Sequence, residues 1–266
     1  MRKSIVTGAI ALAALAAGAF AAYGESVSAS ESEAKPPHRH WHFKGPFGTY
    51  DRAAAQRGYQ VYAEVCAACH SLSLLAYRNL MDLGLSENQV KDLIKDIQVP
   101  DLGDDGQPIE RPARLSDRFK KPFPNTAAAA AANNGKAPPD LSVIVKARNH
   151  GPDYIYSLLT GYVPYDKLTP AQIKEFSVGK DDNFNQYFPG HRIAMPPPLA
   201  DDKVQYVDGT KATLDQEARD VVEFLAWASE PHLEARNRTG VRVILFLLAF
   251  AGLMYAMKRQ VWADKH

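Results

Sequence analysis

Cysteine is nearly absent from this chain, with two in 266 residues. Both fall in one short stretch, at positions 66 and 69, so none is left for a separate zinc site or structural disulfide. A charge bias is also missing: the net charge is +1, and bulk charge singles out no partner. There is no basic run and no nucleic-acid-binding motif, which speaks against nucleic acid as a ligand. No internal repeat is visible. No triad or facing carboxylate pair suggests acid–base or nucleophilic catalysis by the chain's own residues. Composition is ordinary except at the two ends, where the long apolar runs lie.

What the chain does have is Cys66-Ala67-Ala68-Cys69-His70. Two cysteines separated by two residues, with histidine directly after the second, read as a covalent c-type haem attachment site. On a helix start, the two thiols can reach the vinyl groups on one porphyrin edge and form thioethers. His70 then projects onto the iron from the same face as the proximal ligand. The competing reading is a redox pair of the thioredoxin type. It is weakened by the histidine and by the absence of a βαβ pattern around the motif.

The first 24 residues read as a cleaved secretory signal. Arg2 and Lys3 precede an apolar Ala-rich stretch, Ile5 to Ala22, and small residues at 19–24 offer cleavage sites. Export suits c-type haem, which is attached outside the cytoplasm. Near the other end, Val243 to Met257 is apolar and uncharged. At about 1.5 Å per residue it spans only about 22 Å, short of a roughly 30 Å hydrocarbon core. Arg242, Lys258 and Arg259 can snorkel outward and Trp262 and Tyr255 suit an interface, so the flanks extend it. Because the run is apolar all round, a buried core helix is the weaker reading. The expected layout is a signal at 1–24, an exported haem-binding domain at 25–238, a membrane anchor at 239–258 and a cytoplasmic tail at 259–266.

Within the exported domain, Ser26 to Pro37 reads as a flexible leader. His38, His40 and His42 alternate with Arg39, Trp41 and Phe43; a surface or packing segment is favoured over a metal site, since no carboxylate or cysteine completes one. Helices are expected over Asp51 to Val65, Ser86 to Ile97, Thr126 to Ala132, Asp153 to Leu159 and Leu214 to Ser229. Pro100 to Pro124 reads as loop. Leu141 to Ala147 is an apolar stretch capped by Asp140. Residues 162–212 read as mostly irregular, with weak strand character at Lys203 to Val207 and a turn at Asp208-Gly209. Such long loops need an organiser, and a buried porphyrin is one.

The second axial ligand decides what a haem does, because a six-coordinate iron transfers electrons and a five-coordinate one binds small ligands. There are five methionines. Met1 is lost with the signal, Met254 and Met257 lie in the anchor, and Met81 follows the proximal segment too closely to cross to the other face. Met195 remains, in the proline-stiffened segment Arg192-Ile193-Ala194-Met195-Pro196-Pro197-Pro198. His150, His191 and His232 are the rival ligands.

Taken together, residues 57–71, 76–80, 114–125, 131–148, 151–162, 184–199, 220–231 and 255–259 resemble the cytochrome c1 family. Its members are the haem subunits of the quinol–cytochrome c reductase (cytochrome bc1) complex. The resemblance implies a mainly α, class I-like cytochrome c fold with long loop insertions and one C-terminal transmembrane helix. It implies one covalent haem c, with Cys66 and Cys69 at the thioether positions, His70 as proximal and Met195 as distal iron ligand. Asn133, Pro139, Arg148 and Tyr154 fall where the family lines its haem pocket, with Arg148 matching a partner of a haem propionate. The implied function is relay of single electrons from the Rieske iron–sulfur protein to a soluble cytochrome c, with no catalytic residues of the chain's own. The implied partners are cytochrome b, the Rieske protein and that soluble cytochrome c, in a dimeric complex. The implied location is a bacterial inner membrane, with the haem domain on the periplasmic side. Two departures stand out. Some bacterial relatives brace the distal loop with an extra disulfide, whereas here packing must do so. Residues 162–183 match mitochondrial members poorly. A haem sensor with an open coordination site and a free-standing anchored cytochrome serving an oxidase are the competing readings.

Overall fold

The structure, a computed structural model, describes residues 34–263; the expected signal sequence lies outside them. The fold is mainly helical and is built around two packed helices, α1 (Arg52–Glu64) and α6 (Leu214–Ser229). Asp51 caps α1 by accepting from the Ala54 amide at 3.1 Å. Ala55, Tyr59 and Tyr62 recur at helical spacing and face the core together with Gly58 and Val61. Thr213 caps α6, whose buried face includes Ala218, Val221, Val222, Phe224 and Leu225. The helices approach closely at Gly58, where an added Cβ would lie 1.9 Å from the Asp220 carbonyl oxygen. Beside this contact, the Arg57 guanidinium holds the buried Asp220 carboxylate through two bonds of 2.8 and 3.0 Å. Tyr59, Tyr62, Phe119 and Phe224 fill the remaining space as edge-on and tilted ring pairs, and Tyr77 stacks on Phe119.

The histidine-rich segment packs along this core. Trp41 and Phe43 are buried while His38, His40 and His42 are exposed, as the alternation requires. Asp153 receives the Trp41 indole N–H at 2.6 Å, the Lys44 ammonium at 2.9 Å and the Arg39 amide at 3.2 Å. Those bonds strap the segment to α4 (Pro152–Thr160).

Two sequence expectations are corrected and a third is refined. Residues 98–112, expected to be mostly loop, form an antiparallel hairpin of β1 (Gln98–Leu102) and β2 (Pro108–Pro112). Its prolines are tolerated because both strands of a two-stranded ribbon are edges. Residues 162–212 are mostly irregular, as expected, but carry a small sheet in the order β3 (Tyr162–Val163), β4 (Asn183–Asn185) and β5 (Arg192–Ile193). Helix α5 (Pro170–Glu175) covers it, and Leu168, Val178 and Phe184 give this lobe its own apolar centre. Lys203 to Val207 is not a strand, since the Val204 amide is spent on the Glu217 carboxylate at 3.1 Å. The shorter helices α2 (Glu87–Ile94) and α3 (Thr126–Ala132) lie where the capping signals put them.

The last element, α7 (Leu233–Val261), runs for 29 residues, about 43 Å at 1.5 Å per residue. It is apolar enough to cross a membrane, and its side chains from Val243 onward are uncovered. The Glu234 carboxylate fixes its base to the start of α1, accepting from the Tyr50 amide and the Arg52 guanidinium, each at 2.9 Å.

Buried Glu223 on α6 accepts from the Asp51 amide at 2.9 Å. Burial pushes its pKa from 4.5 up to about 7, against the lowering effect of that hydrogen bond. Between these two values the folded chain keeps a proton that the unfolded chain has released. The stability this group contributes is therefore complete below pH 4.5 and is lost as pH rises to about 7. Glu223→Gln should flatten that decline, worth about 3 kcal/mol at most, in unfolding scans of the full chain in detergent. An unchanged slope would place the titration elsewhere.

Candidate functional site

Helix α1 delivers the cysteine motif. After Glu64 the backbone tightens into a 3₁₀ turn at Cys66–Ala68, where the Cys66 carbonyl accepts from the amides of Cys69 at 3.1 Å and His70 at 2.9 Å. Side chains three apart eclipse in such a turn, so the two thiols are brought to one side. Both cysteines are free and half-buried. Burial, with the neighbouring Cys69, pushes the Cys66 thiol up to about 12.

The His70 ring is fixed by its Nδ1, which lies 2.8 Å from the Pro139 carbonyl oxygen. A carbonyl only accepts, so Nδ1 carries the proton and Nε2 keeps its lone pair. Burial lowers the His70 pKa, against the opposing pull of Pro139 and Asp140, and so favours the neutral ring. A neutral imidazole with one nitrogen engaged by a carbonyl is the arrangement a metal-binding histidine needs. The Tyr62 hydroxyl adds a bond to the His70 carbonyl at 3.0 Å.

Asp140 sets the position of Pro139. Its carboxylate accepts from the Ser71 hydroxyl at 2.8 Å and from the amides of Ser73 at 3.0 Å and Ser142 at 2.8 Å. Leu141 N–H donates to the Ser71 carbonyl at 2.9 Å, and Leu74 N–H to the Ser142 hydroxyl at 3.1 Å. Burial alone would raise the Asp140 pKa, yet the bonds from Ser142 and Ser73 hold it well below the usual carboxylate range. Segments 70–74 and 139–142 are thereby laced together across the motif.

The remaining residues expected to line a pocket are placed as follows. Asn133 terminates α3, its side-chain amide donating to the Ala129 carbonyl at 2.8 Å. Tyr154, on α4, packs half-buried against the core to which Cys66 and Ala67 also belong. Arg148 is exposed, donates to the Ala147 carbonyl at 3.1 Å and forms no ion pair among the described residues. Its cation is available to an anionic group.

Met195 follows β5, half-buried in the distal lobe. Asn185, fully buried, fastens that lobe to α4 by donating to the Leu158 carbonyl at 2.7 Å. The Tyr162 hydroxyl donates to the Met195 carbonyl at 3.1 Å. Of the rival histidines, His191 is buried against Phe176 and Phe184, with Nδ1 at 3.1 Å from the Asn185 carbonyl. His150 is exposed in a left-handed turn, and His232 sits at the start of α7.

The donor set fits a covalently held haem: two free thiols on one side of a turn, an imidazole with Nε2 released, half-buried apolar walls and an unpaired guanidinium. The matching family model is the Cytochrome C1 family, over residues 41–265. The chain is 46% identical to a cytochrome c1 of Rhodospirillum rubrum over 265 residues, 96% of this chain and 97% of that protein. It is 44% identical to the mitochondrial cytochrome c1 heme protein of Saccharomyces cerevisiae, over 90% of this chain and 76% of that protein. It is also 45% identical to a cytochrome b/c1 of Bradyrhizobium diazoefficiens, over 97% of this chain but only 40% of that longer protein.

The chain belongs to the cytochrome c1 family. Haem c is the cofactor of this family, and the role it supports is electron transfer. Within this chain the sequence points to Cys66, Cys69 and His70 through a motif, but gives no sign of the lacing by Ser71, Ser73 and Ser142 or of the Tyr162 bond. The only available signal was Asp140 directly after two prolines, read as a cap.

Asp140→Ala removes the acceptor shared by those donors and should destabilise the haem-loaded chain by about 2–3 kcal/mol in chemical unfolding. Asp140→Asn should cost less. Equal stability of Asp140→Ala and the unaltered chain would show the lacing to be dispensable.

Proposed function

We propose that this chain is the haem-carrying subunit of a quinol–cytochrome c reductase, relaying single electrons from a Rieske iron–sulfur protein to a soluble cytochrome c. The observation that carries the reading is the 3₁₀ turn with both thiols free and His70 Nε2 released by the Pro139 carbonyl. When bound, haem supplies one-electron exchange between ferric and ferrous iron. Cys66 and Cys69 hold it covalently, His70 and Met195 ligate the iron, and Asn133, Pro139, Arg148 and Tyr154 line the pocket. Arg148 compensates a propionate charge that would be costly to enclose alone. No residue moves a proton or attacks a substrate in this scheme.

Cytochrome b is the proposed membrane partner, supported by a relative whose name joins cytochrome b to c1. Residues 1–24 act as the export signal, α7 as a single-pass anchor and the haem domain lies on the periplasmic side of a bacterial inner membrane, in a dimeric complex. The uncovered apolar surface of α7 supports the anchor. Copurification of cytochrome b and an iron–sulfur protein with the chain from solubilised membranes tests the assignment; isolation of the chain alone would point to a free-standing cytochrome.

The acidic hairpin is a candidate steering surface for a basic acceptor. Asp101 is engaged by Arg111, whereas Asp104 and Asp105 are exposed at the turn and form no ion pair among the described residues. In the second cluster, Asp182 is engaged by Arg192 and Asp181 is exposed. Replacing Asp104, Asp105 and Asp181 by Asn should slow the reaction with soluble cytochrome c at low salt and flatten its salt dependence. An unchanged salt dependence removes the steering role.

Met195→Leu should lower the haem potential by hundreds of millivolts, an order of magnitude set by the roughly 0.8 V span open to axial ligands. The reduced variant should also bind carbon monoxide, which the unaltered chain should not. A near-normal potential would place the ligand elsewhere.

A further inference from the structure

The distal segment has a weakness the proximal one lacks. His70 lies in a stretch laced to residues 139–142 through Pro139, Asp140, Leu141 and Ser142. Met195 follows a strand of two residues and precedes three prolines, Pro196 to Pro198, none of which has an N–H to donate. No backbone ladder can form there, and no disulfide closes the loop. Ile193 and Leu199 are buried on either side, while Ala194, Pro196 and Pro197 are exposed. A side chain from elsewhere binds the Met195 backbone: the Tyr162 hydroxyl, which donates to the carbonyl at 3.1 Å.

Tyr162 is well placed to act as an anchor. It begins β3 directly after α4, so the helix that carries Tyr154 also sets the position of the phenol. Gly161 permits the junction, since an added Cβ would lie 2.5 Å from the Tyr187 ring and 2.6 Å from the Ser157 carbonyl oxygen. The Gln186 amide closes the same corner by donating to the Gly161 carbonyl at 2.9 Å. The phenol is half-buried beside the segment it binds.

We propose that Tyr162 is a positioning residue for the sixth iron ligand: its hydroxyl holds the Met195 carbonyl and thereby keeps the thioether at the iron against competing ligands. The inference rests on Met195 being that ligand. It concerns the backbone of the ligand, and Tyr162 need not touch the haem.

The test uses the full-length, haem-loaded chain purified from membranes, with Tyr162→Phe, Met195→Leu and Tyr165→Phe. Tyr165→Phe deletes a hydroxyl in the same lobe that makes no bond to Met195 among the described residues. Haem content and thermal unfolding establish that each variant is folded. The readouts are the methionine–iron charge-transfer absorption of the ferric protein and the apparent affinity for imidazole, which enters only when the thioether leaves. For Tyr162→Phe, imidazole should bind about five- to tenfold more tightly, the equivalent of one lost hydrogen bond. The charge-transfer band should also fade at lower temperature on warming. Tyr165→Phe should match the unaltered chain. If Tyr162→Phe has the imidazole affinity and band of the unaltered chain while Met195→Leu has lost the band, the anchoring role is wrong and the ligand assignment stands. If Met195→Leu keeps the band, the ligand assignment itself fails. Should Tyr162→Phe not retain haem, Tyr162→His, which restores a ring donor, must recover both haem and imidazole resistance; failure to recover either overturns the proposal.

Discussion

Everything about this site depends on how closely α1 approaches α6. Gly58 leaves no room for a side chain against the Asp220 carbonyl, and Arg57 grips the Asp220 carboxylate next to it. The contact fixes the axis and rotation of α1, and the cysteine motif is the direct continuation of that helix. A haem attachment turn at the end of a loosely held helix would present its thiols in varying directions. Here the ring cluster of Tyr59, Tyr62, Phe119 and Phe224 closes around the same contact, and the Tyr62 hydroxyl reaches on to the His70 carbonyl. Core packing and ligand placement therefore share side chains.

The two proposed axial ligands are governed through carbonyl groups in opposite senses. The Pro139 carbonyl receives the His70 ring, so a backbone group orients a side chain. The Met195 carbonyl receives the Tyr162 hydroxyl, so a side chain orients a backbone. The difference follows from the local sequence. The serines and Asp140 around the proximal segment can cross-link two stretches of chain by themselves, whereas the prolines after Met195 offer no donors and require one from outside.

The sequence reveals most where chemistry is local or a pattern is long. The attachment motif is legible because covalent haem binding requires two thiols and an imidazole within five residues. Helices α1, α6 and α7 are legible because periodicity, caps or sustained apolarity run over three or more turns. The β1–β2 hairpin is hidden by its prolines, which usually mark loops, and the distal sheet by strands of two or three residues, too short to show alternation. The His191 ring looked like a possible ligand from its place in the sequence; only the fold shows it stacked on Phe184. Met195 follows from elimination rather than from a motif. Its bond to Tyr162, 33 residues away, leaves no trace in the sequence because the acceptor is a backbone oxygen that every residue has.

Helix α7 is about 43 Å long, and a hydrocarbon core takes up only about 30 Å. In the proposed anchor the surplus would emerge as rod, and Glu234 joins the base of α7 to Tyr50 and Arg52 at the start of α1. With α7 as the proposed anchor, this joint would hold the cysteine turn at a set height above the bilayer. Electron tunnelling falls off steeply with distance. In the proposed relay, a carrier held at a set height would leave the travelling between donor and acceptor to its partners.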